Sequence, residues 1–231
     1  MHAVLRKIYY VVIAFVARAL TPIRFRSYFR NNAVRKLQIG AGPTRTPGWL
    51  ISDIEPPSLG VGYLDATRRY PFADASFDYI HSEHMIEHVP WRGGLAMLQE
   101  CHRVLKPGGR IRIATPDLKV LLDLYYPDRE TPTSIRYIRW ITDRLIPGAP
   151  AGYNPIFVIN NAVRSWGHQF FYDGDLLMQT LRSAGFTDIV RMAPGQSDDP
   201  SLRGIEMHGV NIGDEEINAF ETMVYEARRA I

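Results

Sequence analysis

Ser76-Phe77-Asp78-Tyr79-Ile80-His81, His84-Met85-Ile86-Glu87-His88 and Arg103-Val104-Leu105-Lys106-Pro107-Gly108-Gly109 follow one another within the stretch from Leu64 to Pro116, and the reading of that stretch decides the fold. Asp74 to Asp78 is turn-forming, and Tyr79-Ile80-His81 is strand-like. From Gly94 to Lys106 the apolar residues Leu95, Leu98, Val104 and Leu105 recur at helical spacing. Pro107-Gly108-Gly109 ends that helix, and Arg110-Ile111-Arg112-Ile113-Ala114 begins a second strand. Strand, helix, glycine stop and strand make a βαβ crossover in a parallel sheet.

Working back toward the N-terminus, Arg35 to Ile39 reads as a first strand that runs into Gly40-Ala41-Gly42-Pro43, a turn of small residues where a ligand can approach the backbone. Trp49 to Asp53 is a second strand, ending in a carboxylate suited to accept two hydrogen bonds from a ribose diol. The bland alternative for Asp53 is a solvated loop acid. Between these strands, Pro43 to Ser52 holds Pro43, Pro47 and Gly48, so the usual crossover helix is cut to a turn. That shortening, with no third glycine, speaks against a dinucleotide, whose pyrophosphate needs a helix N-terminus. Val61 to Ala66 offers a short third strand with Asp65 at its end.

Taken together, the Ser76–Ile80, His84–His88 and Arg103–Gly109 blocks resemble the class I S-adenosylmethionine (SAM) dependent methyltransferases, and within them the small bacterial enzymes of methyltransferase type 11. The resemblance is strong over residues 36–116, fades through 117–165 and returns from Gly167 to about Gly213. It implies an α/β, Rossmann-like fold: a mostly parallel seven-stranded sheet flanked by helices, here with a shortened first helix and an insert after strand 5. It implies SAM as cofactor, held by Gly40, Ala41, Gly42 and Asp53, with Asp65 and Ala66 bordering the adenine and Ser82 touching the methionine part through its backbone. SAM carries no phosphate, so the lost helix is tolerable.

The histidine-rich corner has two sharp readings and one bland one. If residues 83–89 begin a helix, His84 and His88 share a face with Glu87 beside them, a spacing that can bind a metal. Some superfamily members carry a Glu-x-x-Glu-His metal site at this place, but here His84 stands first and Glu83 is out of step, so no metal is assigned. The other sharp reading is catalytic. Methyl transfer to a hydroxyl needs a base that titrates near neutral pH, and His84 is the first candidate, with His168 in Gly167-His168-Gln169 closing over it. The bland reading is a hydrogen-bonded structural histidine. His2 and His208 have no constellation around them.

Residues 117–172 are rich in proline and aromatics, including Tyr137, Trp140, Trp166 and Phe171, and by resemblance form a substrate cap. Such side chains suit a sugar ring, a prenyl chain or an aromatic acceptor, although most also serve as satellite core. Asp173 caps a helix over 174–184, Phe186 to Met192 reads as the sixth strand, Arg203 to Ile212 as the seventh, and Asp214 to Ala230 as a closing helix, acidic first and basic last.

A 231-residue chain with 46% hydrophobic content supports one α/β domain, taken as 35–231, with residues 1–34 as an N-terminal arm. The single Cys101 excludes a disulfide framework and fits a reducing, cytoplasmic setting. The net charge of +3 is modest but uneven: no acidic residue precedes Asp53, whereas Arg6, Lys7, Arg18, Arg24, Arg26, Arg30, Arg35, Lys36 and Arg45 do. The apolar run Ile8 to Leu20 is shorter than the roughly 20 residues that span a bilayer. Residues 1–30 thus read either as an interfacial helix on an anionic membrane or as a helix packed on the domain or in a homodimer. Nucleic acid is disfavoured because no RNA-binding signature accompanies the charge.

The leading expectation is a SAM-dependent methyltransferase acting on an oxygen of a small or lipid-linked acceptor, such as a cell-surface glycan precursor. Its alternatives are a metal-assisted enzyme using His84, Glu87 and His88, and a non-catalytic scaffold with the same fold.

Overall fold

The computed structural model describes residues 2–150 and 152–231, with side chains described from residue 11 onward; the Arg6, Lys7, Tyr9 and Tyr10 side chains of the arm lie outside the described residues. The chain runs α1 (His2–Asn31), β1 (Lys36–Ile39), β2 (Leu50–Asp53), β3 (Gly62–Tyr63), β4 (Phe77–Glu83), α2 (Trp91–Val104), β5 (Leu105–Pro116), α3 (Leu118–Asp123), α4 (Pro132–Leu145), α5 (Pro155–Arg164), α6 (Gly174–Ser183), β6 (Phe186–Met192), α7 (His208–Ile212), α8 (Glu215–Glu221) and β7 (Thr222–Arg229). The strands form one seven-stranded sheet in the order β3-β2-β1-β4-β5-β7-β6. All neighbours are parallel except β7, which runs antiparallel between β5 and β6.

Register explains the two faces, because side chains alternate along each strand. Leu50, Leu37, Ile80, Ile111 and Ala227 form one row across the sheet. That row is covered by Phe25 of α1, Met97, Leu98 and Cys101 of α2, and Leu177 and Leu181 of α6, in the main apolar core. Gly62 on β3 admits the Phe25 ring, since a Cβ there would lie 2.4 Å from it.

The next residue along each strand gives the opposite row: Ile51, Gln38, His81, Arg112 and Glu226. Here the missing helix matters. As the prolines between β1 and β2 predict, no helix forms there, and the face is covered instead by the segment 193–207, whose Leu202 and Ile205 pack on Trp49, Ile51 and Val61. Arg112 is fully buried and ties that segment down, pairing with Glu206, with Glu226 at 2.5 Å and with the Gln196 carbonyl at 2.8 Å. Beside it, burial drives the His81 imidazole down to about 4, so it sits there neutral.

Three expectations are corrected. Arg203 to Ile212 is not a strand; its end is the short α7, held by the covering segment. Asp214 to Ala230 is not one helix, because α8 stops at Glu221 and β7 follows. The Thr222-Met223-Val224-Tyr225 run is buried on both faces of the sheet, and that packing overrides the charge pattern that favoured a helix. Finally, residues 83–89 are not a helix: β4 continues to Glu83, His84 has φ +45°, and a single 3₁₀ turn spans Ile86–His88. His84 and His88 therefore do not share a helical face.

Residues 117–172 supply α3, α4 and α5, whose Leu121, Tyr137, Ile141 and Val158 form a second apolar cluster with Ile217 of α8. This cap stands over the C-terminal ends of β4 and β5. Among the described residues no helix is long and apolar enough to cross a membrane.

Candidate active site

In an open α/β sheet, ligands bind beyond the carboxyl ends of the strands. Gly40, Asp53 and Asp65 follow β1, β2 and β3 at that edge, and backbone bonds lock the three ends together. The Ala41 amide donates to the Ser52 carbonyl (3.1 Å), and the Leu64 amide to the Asp53 carbonyl (3.0 Å). Asp53 Oδ2 accepts from the Gly42 amide and Oδ1 from the Glu55 amide, both at 2.8 Å. Each of these oxygens keeps a second lone pair. Asp65 Oδ1 accepts from the Thr67 amide (2.9 Å) and hydroxyl (2.7 Å), which fixes its orientation.

The two glycines do different things. Both are left-handed, at φ +65° and +52°. A Cβ on Gly40 would lie 2.0 Å from Met85 Cγ, whereas a Cβ on Gly42 would meet nothing within 4 Å. The expectation that both leave room for ligand is therefore corrected for Gly40: its missing side chain accommodates Met85, and the open volume is at Gly42. The Ala41 and Gly42 amides are taken by β2, so neither is a free donor. Ala66 is buried, and Ser82 lies buried on β4 between Ile39 and Ile113, its hydroxyl without a hydrogen-bond partner.

Under the cap is a cavity of about 410 Å³. Its walls are mainly apolar: Leu121, Tyr137, Trp140, Ile141, Leu145, Val158, Ala162, Trp166, Phe171 and Ile212. Its polar end gathers His84, His88, His168, His208 and Glu221. The structure thus brings His84 and His168 to one cavity, as their motifs suggested, and adds His208 and Glu221.

Each member is placed by a specific bond. Glu83 ends β4 with its carboxylate accepting from the Met207 and His208 amides at 2.8–3.0 Å, which anchors the start of α7. His208 consequently stacks on His84 with ring centroids 3.8 Å apart. The Gln169 and Phe170 amides both donate to the Glu87 carbonyl, drawing the end of the cap onto the 3₁₀ turn. There His168 meets His88 at 4.8 Å. His168 Nδ1 lies 2.7 Å from the Ala162 carbonyl, so Nδ1 donates there and Nε2 is the ring atom left free of that bond.

His84 differs. Its Nδ1 faces the buried Glu87 carboxylate at 3.3 Å, and Nε2 is 3.0 Å from Thr222 Oγ1. The Thr222 hydroxyl donates its own hydrogen to Asn218 Oδ1 (2.9 Å), so it accepts from His84. This arrangement of two facing acceptors favours the protonated ring. Burial opposes that charge, but Glu87, with Glu221 and Glu83, outweighs burial and raises the pKa. Likewise burial raises Glu87 less than His84 lowers it, and Thr115 Oγ1 donates to its other oxygen at 3.0 Å. The raised pKa favours the charged ring and so weighs against His84 as the base that the sequence suggests. His208 is pushed by burial and by the His84 charge to about 3, and burial also lowers His88, so both are neutral.

The His84–Glu87 pair predicts a pH dependence of stability. The raised His84 pKa means its contribution is complete below the ordinary 6.5 and is lost as pH rises through the raised value; the lowered Glu87 pKa means its contribution is present above the ordinary 4.5 and is lost on acidification through the lowered value. Urea midpoints of the protein are thus expected to fall from neutral to alkaline pH in a step that His84→Gln removes, and an unchanged step in that variant would contradict the assignment.

His208, Glu221, Thr222 and Met85 were not legible as site residues. His208 is joined to β4 only through Glu83, 125 positions away, and nothing in its neighbours announces this.

Comparison with known proteins agrees with this architecture. Residues 54–113 match the methyltransferase domain family. A curated relative, a 37.1 kDa protein in transposon TN4556 of Streptomyces fradiae, is 27% identical over 139 residues, covering 50% of this chain and only 39% of that protein. Among solved structures, a SAM-dependent methyltransferase from Archaeoglobus fulgidus is 16% identical over 93% of each chain with a TM-score of 0.49. Another from Thermotoga maritima is 18% identical with a TM-score of 0.48, covering 91% of this chain and 93% of that one. The domain match runs from β3 into β5 of a seven-stranded, mostly parallel sheet, and the joined strand ends at Gly42, Asp53 and Asp65 lie at its carboxyl edge.

Proposed function

We propose that the protein is a methyltransferase that uses SAM to methylate a hydroxyl oxygen of an apolar small or lipid-linked acceptor held in the cavity under the cap. The observation that carries this reading is His168, its ring fixed through Nδ1 on the Ala162 carbonyl, at the polar end of an otherwise apolar cavity.

Bound SAM supplies a methyl group activated by a sulfonium leaving group. On the side of β1–β3, the spare lone pairs of Asp53 suit a ribose diol, Asp65 and Ala66 suit the adenine, and the open side of Gly42 provides volume. In the cavity, Tyr137, Trp140 and Phe171 hold the acceptor by apolar and ring contact and exclude water. His168 takes the hydroxyl proton at Nε2, with its ring fixed by the Ala162 carbonyl; His208, neutral, offers a second acceptor beside it. The remaining task is positioning, which supplies much of the rate in such displacements. For a cell-surface glycan precursor, it is the lipid portion that matches these walls. Incubation with methyl-labelled SAM and a fractionated extract of the source cells is expected to place label in the organic-soluble fraction; label confined to water-soluble products would overturn the acceptor class.

A second reading has a specific support. Donor atoms of Glu87, His88 and His168 lie within 4.8 Å of one another. Two imidazoles and a carboxylate suit a divalent first-row ion, and a ring held by a backbone carbonyl is how such ligands are oriented. His84 lies outside that set and groups instead with His208 and Glu221. Chelator decides between the readings: loss of turnover restored by a divalent ion favours the metal-assisted reaction, and full turnover in chelator favours His168 as an unassisted base.

A further inference from the structure

We infer that α1 is a two-faced helix whose outer face lies in the surface of an anionic lipid bilayer. The inference is independent of the methyl-transfer reading.

At 100° per residue, α1 divides into two sides. Ala17, Thr21 and Phe25 recur every fourth residue and are buried against the sheet edge, where Thr21 Oγ1 accepts from the Tyr63 amide at 2.8 Å. The opposite side of a helix on a soluble domain is ordinarily polar. Here it carries Val11, Phe15 and Ile23, which are 63, 75 and 65% exposed, with Val12 and Ala19 beside them. No described residue covers them. Single exposed apolar residues need no explanation, but a stripe of them along several turns of one helix does.

Charge selects the partner. Arg26 and Arg30 are exposed along the same side, Arg18 flanks it over the Tyr63 ring (3.8 Å), and no acidic residue occurs before Asp53. A second copy meeting this face across a two-fold axis would set these guanidinium groups against their own kind, without carboxylates of the helix to offset them. Phosphate-bearing lipid meets both requirements at once, taking the apolar side chains into the interface and the arginines onto the headgroups. Among the described residues no helix is long and apolar enough to span the bilayer, and the mode that fits α1 is to lie along it.

The test is co-sedimentation of the full chain with vesicles of phosphatidylcholine alone and of phosphatidylcholine mixed with phosphatidylglycerol. The protein is expected to sediment with the mixed vesicles, less so at high salt. The double variant Phe15→Glu/Ile23→Glu is expected to partition about tenfold less or weaker, because two buried apolar side chains are replaced by charges that lipid phosphate repels. Circular dichroism and the urea midpoint, measured in parallel, report that this variant is folded. Failure of the unmodified chain to sediment with mixed vesicles, or equal sedimentation of a folded double variant, overturns the inference. So does a dimer in sedimentation velocity that the double variant dissolves while vesicle binding is unchanged, which assigns the face to a second copy.

Discussion

Arg112→Met is expected to lower the unfolding free energy by about 3–5 kcal/mol, the largest stability effect of any single change away from the apolar core. The guanidinium is wholly buried and is shared by Glu206 of the covering segment and Glu226 of β7. An apolar replacement strands two nearly buried carboxylates and removes the donor to the Gln196 carbonyl. Two carboxylates without a counter-ion cost far more than the net worth of the intact pairs. Denaturant unfolding measures the loss, and the triple variant Arg112→Met/Glu206→Gln/Glu226→Gln is expected to recover much of it. Hydrogen exchange in Arg112→Met should quicken first in residues 193–207, because that segment replaces the absent helix over β1 and β2. A loss below about 1 kcal/mol would show that the arginine is not what holds it.

His168→Ala is expected to lower kcat by about 10²–10⁴-fold, the range for a positioned general base. Its affinity for SAM should be unchanged, since His168 lies on the cap and the cofactor residues lie on β1–β3. His84→Gln should act differently: Glu87 loses its charged partner and His208 its stacking neighbour, so stability falls along with rate. Parallel kcat, KM and urea measurements separate the two. If His84→Gln alone abolished turnover with stability intact while His168→Ala left it unaffected, the roles assigned from their ring nitrogens would be reversed.

The sheet's parallel half was legible because its signals are local. Gly40 and Gly42 after a short apolar strand, Asp53 and Asp65 at strand ends, and the βαβ run around Phe77 to Ile113 each declare themselves within a few residues. The prolines between Gly42 and Asp53 announced the lost helix correctly. They could not say what replaces it, because the segment 193–207 is recruited from the far end of the chain by one buried arginine. The same distance hid β7: Thr222 to Arg229 contains Glu226 and Arg228, which read as helix surface until Arg112 appears beneath Glu226. At the site, residue types were readable but protonation was not. His84 follows the strand where a base was sought, yet the Glu87 carboxylate raises its pKa and favours the charged ring; His208 looked isolated because Glu83, the residue that brings it in, acts through its side chain.

Calorimetric titration of the protein with SAM and with its demethylated product, beside the Asp53→Ala variant, tests the central claim that the ends of β1, β2 and β3 form one cofactor cradle. One molecule of each ligand is predicted to bind per chain, and Asp53→Ala is predicted to bind about tenfold more weakly or worse, as for loss of hydrogen bonds to a carboxylate. Absence of heat with both ligands, or an affinity indifferent to Asp53, would contradict it.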